Sequence, residues 1–188
     1  MAQASFLAGK MLIAMPGIGD PRFERALILI CSHDETQAMG LAVNQPVRSM
    51  TVPDILKQLS VATQCVVPAD PVMLGGPVQT ERGFVLHSQD LITDETLKVG
   101  EALALTTTRQ ALQALAGDPY RPTRSLLALG YAGWGAGQLE AEIRHNVWLT
   151  CDATDDLIFG VDHDQKWRLA LKQLGVDPGL LTAVAGTA

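Results

Sequence analysis

Apolar residues occur in short runs along this chain, and most of the runs have the length of β-strands. Residues 26–33 are apolar on both alternating faces, which predicts a central strand with layers packed on each side. A shorter run at residues 11–15 precedes this strand, and residues 39–44 follow it after the polar connection 34–37. The pattern therefore predicts a hairpin or a meander near the start of the chain.

Strand and helix patterns are interspersed through the rest of the chain. Apolar runs predict strands at residues 72–78, 83–87, 97–99, 102–105 and 126–129, and from Trp148 onwards. Helical spacing predicts helices at residues 53–59, 107–116, 138–145 and, with Asp164 as its N-terminal cap, 164–174. Because the strands occur in clusters and not in regular βαβ alternation, we predict an α+β fold. Its mixed sheet and several flanking helices are expected to form a single domain spanning residues 1–188.

Glycine is concentrated in one segment, residues 129–140, where it alternates with large aromatic residues ahead of a helical pattern. Glycine adopts positive φ angles and lets another chain or a ligand approach the backbone closely. The segment is therefore predicted to have a special structural or functional role. Gly133 and Gly137 are the positions at which we expect an added side chain to destabilise the fold.

The composition is that of an ordinary globular protein, and it restricts the classes of partner. The 188 residues are 47% hydrophobic and 18% charged, with a net charge of −6. Lys and Arg are scattered and form no basic run, so we expect no direct binding of nucleic acid. The chain has no apolar stretch of ~18 residues and no signal-peptide pattern, so we expect a cytoplasmic protein without a membrane partner.

The cysteines and histidines form no recognisable metal motif. Cys31, Cys65 and Cys151 lie far apart without CxxC spacing, and the histidines lack HExxH or His-x-His pairing. Nucleotide-binding glycine motifs and hydrolase serine motifs are also missing from the sequence. We therefore expect no bound metal and no cofactor, and the catalytic residues of any enzyme activity stay unknown.

Cys31 and His33 are the strongest candidates for chemistry. Two residues apart on a predicted strand, they are expected to lie on one face, roughly 6–7 Å apart at Cα. A neighbouring imidazolium lowers a thiol pKa and makes the sulfur nucleophilic or easily oxidised. The alternative is that Cys31 is a small core residue behind Ile28 and Ile30, in which case burial raises its pKa and silences it.

Two further segments carry candidate pocket residues. Gly75 and Gly76, together with Arg82, are able to present backbone amides and a guanidinium to an anion. A tight strand corner with a structural arginine is the simpler interpretation of the same residues. Asn44, at the end of a predicted strand, is a candidate for the polar lining of a pocket.

Longer motifs follow one another in order along the chain. They are Leu-Ile-Ala-Met-Pro at residues 12–16, Asp-Pro-Arg-Phe at 20–23, Cys-x-His at 31–33, Ala-Met-Gly-Leu-Ala-Val-Asn-Gln-Pro at 38–46, Leu-Gly-Gly-Pro-Val at 74–78, Arg-Gly-Phe-Val-Leu-His at 82–87, Gly-Tyr-Ala-Gly-Trp at 130–134 and Gly-Gln-Leu-Glu-x-Glu at 137–142. In this combination the chain resembles the AlgH/YqgE family of bacterial proteins over nearly its whole length. It departs from the family pattern near its end, where Gly-Thr-Ala at residues 186–188 replaces Gly-His-Ala.

The resemblance implies a compact α+β domain whose strongly bent sheet closes towards a pseudo-barrel, in a cytoplasmic bacterial protein. The family carries a label of transcriptional regulation without an evident DNA-binding motif. Its cysteine in the Cys-x-His strand, which is Cys31 here, is considered a reactive, redox-sensing thiol.

Two functional hypotheses follow. The first is a regulatory or interaction protein that binds an unidentified protein or small-molecule partner, with Cys31 as a sensor. The second is an enzyme of unknown type that uses the Cys31–His33 pair, with Asn44 and residues 75–82 as its pocket. A Cys31 sulfur buried among Leu and Ile side chains would weaken both chemical roles and leave an interaction scaffold.

Overall fold

The structure is a computed structural model that describes residues 7–107, 109–117 and 120–181. These residues form ten strands and five α-helices, in the order β1 (Lys10–Ala14), β2 (Leu27–His33), β3 (Gln37–Ala42), β4 (Pro46–Thr51), α1 (Val52–Gln58), β5 (Pro71–Leu74), β6 (Val78–Ser88), β7 (Leu97–Val99), β8 (Leu103–Thr106), α2 (Arg109–Leu115), β9 (Ser125–Gly135), α3 (Gln138–Arg144), β10 (Trp148–Asp152), α4 (Asp155–Phe159) and α5 (His163–Gln173). Short 3₁₀ turns occur at Pro21–Phe23 and Pro178–Leu180. The departure from the family pattern at residues 186–188 lies outside the described residues.

The strands are joined into one curled sheet. Its order is β10-β1-β2-β3-β9-β6-β8-β7, and every neighbouring pair in this path is antiparallel. Beside the path, β4 pairs with β5, and β5 runs parallel to β9. The predicted α+β fold with a mixed, strongly bent sheet is confirmed, and the sheet closes through half a barrel.

Strand β9 is the element on which the sheet curls. One edge of this 11-residue strand pairs with β6, while its other edge pairs first with β5 and then with β3. Gly75 lies where the pairing of β9 changes from β5 to β3. Its N–H donates to the Leu129 carbonyl of β9, and its own carbonyl accepts from the N–H of Ala42 in β3, both at 2.8 Å. A Cβ on Gly75 would lie 2.3 Å from the Gly130 carbonyl oxygen, so no other residue fits here.

Both faces of the central strands are buried, as the apolar pattern of residues 26–33 predicts. Leu27 and Leu29 pack with the apolar stripe of α5 on the inner face of the curl. Ile28 and Ile30 pack on the outer face, against Leu139 at the start of α3. A third cluster lies beneath α1 and α2. The sheet therefore separates an inner core from an outer one.

Several boundaries differ from the sequence prediction. The pattern does not predict β4, and it leaves residues 79–82 between two predicted strands, whereas they belong to β6. That stretch is irregular, since Gln79 has a φ of 49° and the pairing with β9 shifts between Val78 and Gly83. Helix α5 is capped by the carboxylate of Asp162, not by Asp164.

Candidate functional site

The prediction that Cys31 and His33 share one face of their strand is wrong. The β2–β3 register shifts at Cys31, which is the extra residue of a β-bulge. Cys31 packs into the inner cluster with Leu29, whereas His33 pairs with Ala38, which belongs to the outer cluster. Because the bulge restarts the alternation of side chains, the two groups lie on opposite faces and form no thiol–imidazole pair.

The thiol of Cys31 is part of the core. Its side chain is 1% exposed, and burial raises its pKa to about 12. Burial also raises the pKa of Cys151, to about 11, while Cys65 is exposed. At neutral pH Cys31 is therefore a protonated thiol without access to solvent. This agrees with the alternative that Cys31 is a small core residue.

His33 makes a contact between two elements of the fold. Its Nε2 lies 2.8 Å from Oε1 of Glu140, so the buried imidazole fastens α3 to the end of β2. The Glu140 carboxylate is 42% exposed and meets the ring from the solvent side. The role visible in the structure is to orient α3 against the sheet.

Gly75, Gly76 and Arg82 have structural partners. The Gly75 amide is used in sheet pairing, and a Cβ on Gly76 would lie 2.1 Å from the backbone of Tyr131. The Arg82 guanidinium donates to Gln79 Oε1 at 3.3 Å and to the Thr107 hydroxyl at 3.2 Å. These contacts support the strand-corner interpretation of this segment.

Asn44 is the sequence candidate that leads to a cavity. Its Oδ1 accepts from Leu27 N and its Nδ2 donates to the Arg25 carbonyl, both at 2.9 Å. Arg25 has a φ of 52°, a left-handed conformation that costs a non-glycine residue roughly 1–2 kcal/mol. Asn44 is therefore a positioning residue that holds Arg25 in a strained turn.

Arg25 borders a cleft of about 1130 Å³. One wall is the turn after β1, from Met15 to Pro21, together with Glu24 and Arg25. The other wall is the C-terminal part of α5 and the segment that follows it, with Trp167, Arg168, Lys172, Gly175, Val176, Asp177, Pro178, Gly179 and Leu181. The volume is somewhat above the range of small-molecule sites, which is roughly 300–1,000 Å³.

Trp167 provides a fixed aromatic surface in this cleft. The side chain is 5% exposed, and its indole N–H donates to the Ala14 carbonyl at 2.8 Å. The guanidinium carbon of Arg25 lies 5.7 Å from the ring centroid, within the range of a cation–π contact. Both the ring and the cation are thus held in place by contacts within the protein.

The cations of the cleft have fewer partners than its carboxylates. No carboxylate of the described residues lies within ion-pair distance of Arg25, Arg168 or Lys172. By contrast, Asp20 accepts from Arg22, which lowers the pKa of this carboxyl, and Asp177 accepts from Gly179 N at 2.8 Å. Glu24 is the remaining acidic residue of the lining.

The sequence pattern does not indicate that Arg25, Trp167, Arg168 and Lys172 line one cleft. The two walls lie more than a hundred positions apart in the sequence and meet only because β1 and α5 pack together. The single local signal is the turn cluster at residues 16–21, whose glycines and prolines end four residues before Arg25.

The described residues hold no group of three or more His, Cys, Asp or Glu side chains placed to bind a metal ion. Within that same part of the chain, no helix is both long enough and apolar enough to cross a membrane.

The molecule is thus a curled α+β domain with a cleft lined in part by Arg25, Arg168 and Lys172. Comparison with known proteins identifies its family. A family model described as AlgH-like matches residues 11–179, so the chain belongs to the AlgH-like family. The resemblance to AlgH/YqgE proteins inferred from the motifs is confirmed.

Several bacterial proteins are similar over nearly the whole chain or all of it. A UPF0301 protein of Caulobacter vibrioides is 55% identical over 97% of this chain and 94% of its own length, and one of Paracoccus denitrificans is 50% identical over the full length of both. The solution structure of the AlgH protein from Pseudomonas aeruginosa is 42% identical, covers both chains fully and has a TM-score of 0.75. A Corynebacterium diphtheriae protein at 18% identity, with a TM-score of 0.70 over 92% of this chain and 90% of its own, shares the fold.

Proposed function

We propose that this protein is a regulatory binding protein, and that the cleft between the turn after β1 and helix α5 receives its partner. The observation that carries the proposal is the strained Arg25, which Asn44 holds beside the Trp167 ring. Strained backbone is retained where the surrounding structure over-determines it, and such positions cluster at binding sites.

The charges of the cleft point to an anionic partner. Arg168 and Lys172 are four residues apart on α5, so they project from the same side of the helix and add to the charge of Arg25. A carboxylate or phosphate group entering the cleft would meet these cations without displacing an existing ion pair among the described residues.

Regulation, in this proposal, passes through a partner and not through DNA. The net charge of −6 disfavours affinity for phosphate backbones. A role in transcription therefore requires that the partner itself contacts the transcription machinery or its signals. The enzyme alternative has less support, because the bulge at Cys31 separates it from His33 and burial silences its thiol.

Charge reversal in the cleft tests this function. We would purify the tagged protein from its source bacterium and identify what accompanies it by native mass spectrometry, which detects proteins and small molecules alike. The test variant is Arg168→Glu/Lys172→Glu, and the matched control is Arg48→Glu/Lys57→Glu, which changes the net charge equally at exposed positions outside the cleft. We expect the partner to be lost from the test variant and kept by the control. Equal retention by both variants would refute the proposal.

A further inference from the structure

A second cavity, separate from the cleft, is lined by two residues that each carry a buried side-chain nitrogen. Nη1 of Arg121 and Nδ1 of His163 are both shielded from solvent and have no hydrogen-bond partner among the described residues. Both residues line the same cavity of about 210 Å³, and none of its lining residues belongs to the cleft. Buried polar groups are nearly always hydrogen-bonded in folded proteins, so two that face one cavity point to a ligand.

The charge around these donors favours an anion. Arg121 is always cationic. Its other terminal nitrogen, Nη2, lies 3.4 Å from the Asp70 carboxylate, which is long for an ion pair. The Asp70 side chain is also 53% exposed. Burial, and secondarily the charge of Lys166, lowers the pKa of His163, so the ring is neutral at pH 7 and can donate one hydrogen bond without adding charge.

The walls of the cavity limit the size and type of the anion. Apart from the polar groups Asp70, Arg121, Ser125 and His163, the lining consists mainly of apolar side chains: Val52, Pro71, Met73, Leu115, Leu126, Leu127, Ile158, Phe159 and Val161. A carboxylate has two oxygens for the two donors, whereas a phosphate would leave further oxygens against apolar walls. At roughly 30 Å³ for each water-sized group, the volume corresponds to roughly seven non-hydrogen atoms.

We propose that this cavity binds a short-chain aliphatic monocarboxylate, with its carboxylate held between Arg121 and His163 and its hydrocarbon tail against the apolar wall. The size corresponds to a chain of roughly four or five carbons. The site is independent of the partner proposed for the cleft.

Butyrate is the probe that tests the proposal. We would titrate the ¹⁵N-labelled protein with sodium butyrate at constant ionic strength and follow the backbone amide resonances. The neutral isostere butyramide tests the charge requirement, and acetate and octanoate test the length. We expect saturable shifts at residues 121–127 and 158–163, with butyrate binding roughly tenfold to a hundredfold more tightly than butyramide, as for hydrogen bonds to a charged group. Acetate and octanoate should both bind more weakly than butyrate.

Two variants locate the site independently of the comparison between butyrate and the other ligands. Arg121→Met should weaken butyrate binding by the same roughly tenfold to hundredfold factor, while Arg144→Met, on α3 at the other face of the sheet, should leave it unchanged. Equal binding of butyrate and butyramide, or shifts that do not saturate, would overturn the proposal on the wild-type protein alone. Undiminished binding by a folded Arg121→Met variant would overturn it as well.

Discussion

Lys166 offers a quantitative test of the packing described above, because it is a fully buried cation. The residue has no exposed surface, and its ammonium donates to the carbonyls of Val43 at 2.9 Å and Ile158 at 2.7 Å. No carboxylate of the described residues lies within ion-pair distance. The ammonium therefore exchanges its hydration for two carbonyl dipoles without a counter-charge.

The pKa of Lys166 expresses the cost of this burial. Desolvation lowers it from 10.5 to about 8, and at about 1.4 kcal/mol for each pKa unit the charged form costs roughly 3 kcal/mol in the folded state. Between these two values the unfolded chain binds more protons than the folded one, so stability rises with pH in that window. Nearly the whole cost is present at pH 7, and roughly 2 kcal/mol of it is relieved at about pH 9.5.

The substitution Lys166→Met isolates this contribution. We would measure the free energy of unfolding by urea denaturation at pH 7 and pH 9.5 for the wild type and the variant, under reducing conditions. Other groups titrate in both proteins and cancel in the difference. We expect the wild type to gain roughly 2 kcal/mol relative to the variant between the two pH values. Lys172→Met, at an exposed position on the same helix, is the control: it keeps Lys166, so the contribution of Lys166 cancels in its difference from the wild type.

A stability difference between wild type and Lys166→Met that stays constant from pH 7 to pH 9.5 would refute the reasoning. It would mean that the amine reaches water or a counter-charge in the folded protein. The sign of the difference at pH 7 alone is not diagnostic, since the variant removes the buried charge but leaves two carbonyls without a donor.

Three further outcomes are expected. In the folded protein iodoacetamide should label Cys65 well before Cys31, as peptide mass mapping would show; preferential labelling of Cys31 would contradict its burial. Gly137→Ala should lower the free energy of unfolding in urea by roughly 1 kcal/mol, because its φ of 70° is unfavourable for alanine but the added Cβ meets no other atom. Gly130→Ala should lower it clearly more, because its Cβ would also lie 2.5 Å from the Gly76 carbonyl oxygen. Equal losses would contradict the close approach of the backbone at Gly130. Glu142→Ala should lower the free energy of unfolding by roughly 2–4 kcal/mol, because it leaves the buried indole N–H groups of Trp134 and Trp148 without an acceptor. Glu142→Gln should lower it less. An unchanged urea midpoint for Glu142→Ala would argue against these two hydrogen bonds.

The sequence predicts best where burial is strong on both faces of a strand. The run at residues 26–33 is apolar without interruption, and β2 lies there, flanked by β1 and β3 as expected. Strand β4 escapes prediction because its residues are mostly exposed or half-buried at the edge, where it pairs with β5 but with no core strand. An edge strand of this kind carries too few apolar positions to show a period of two.

The candidate site could be predicted only in part, because a bulge leaves no clear trace in the sequence. The two-residue spacing of Cys31 and His33 implies a shared face only if the strand is regular, and the single extra residue reverses that conclusion. Lys166 did carry a signal: it lies four residues before Ala170 and next to Trp167, on the buried stripe of α5. The sequence indicates Asn44 as a strand-end residue, but its contact with Arg25 depends on tertiary packing.

Hydrogen–deuterium exchange tests most directly the claim that the cleft is the binding site. The wild-type protein would be measured alone and in complex with the partner that co-purifies from its source bacterium. We expect reduced exchange on binding in the two walls, residues 15–25 and 167–181, with no change in α3 on the outer face of the sheet. Protection confined to other segments, with both walls exchanging as they do in the free protein, would contradict the account.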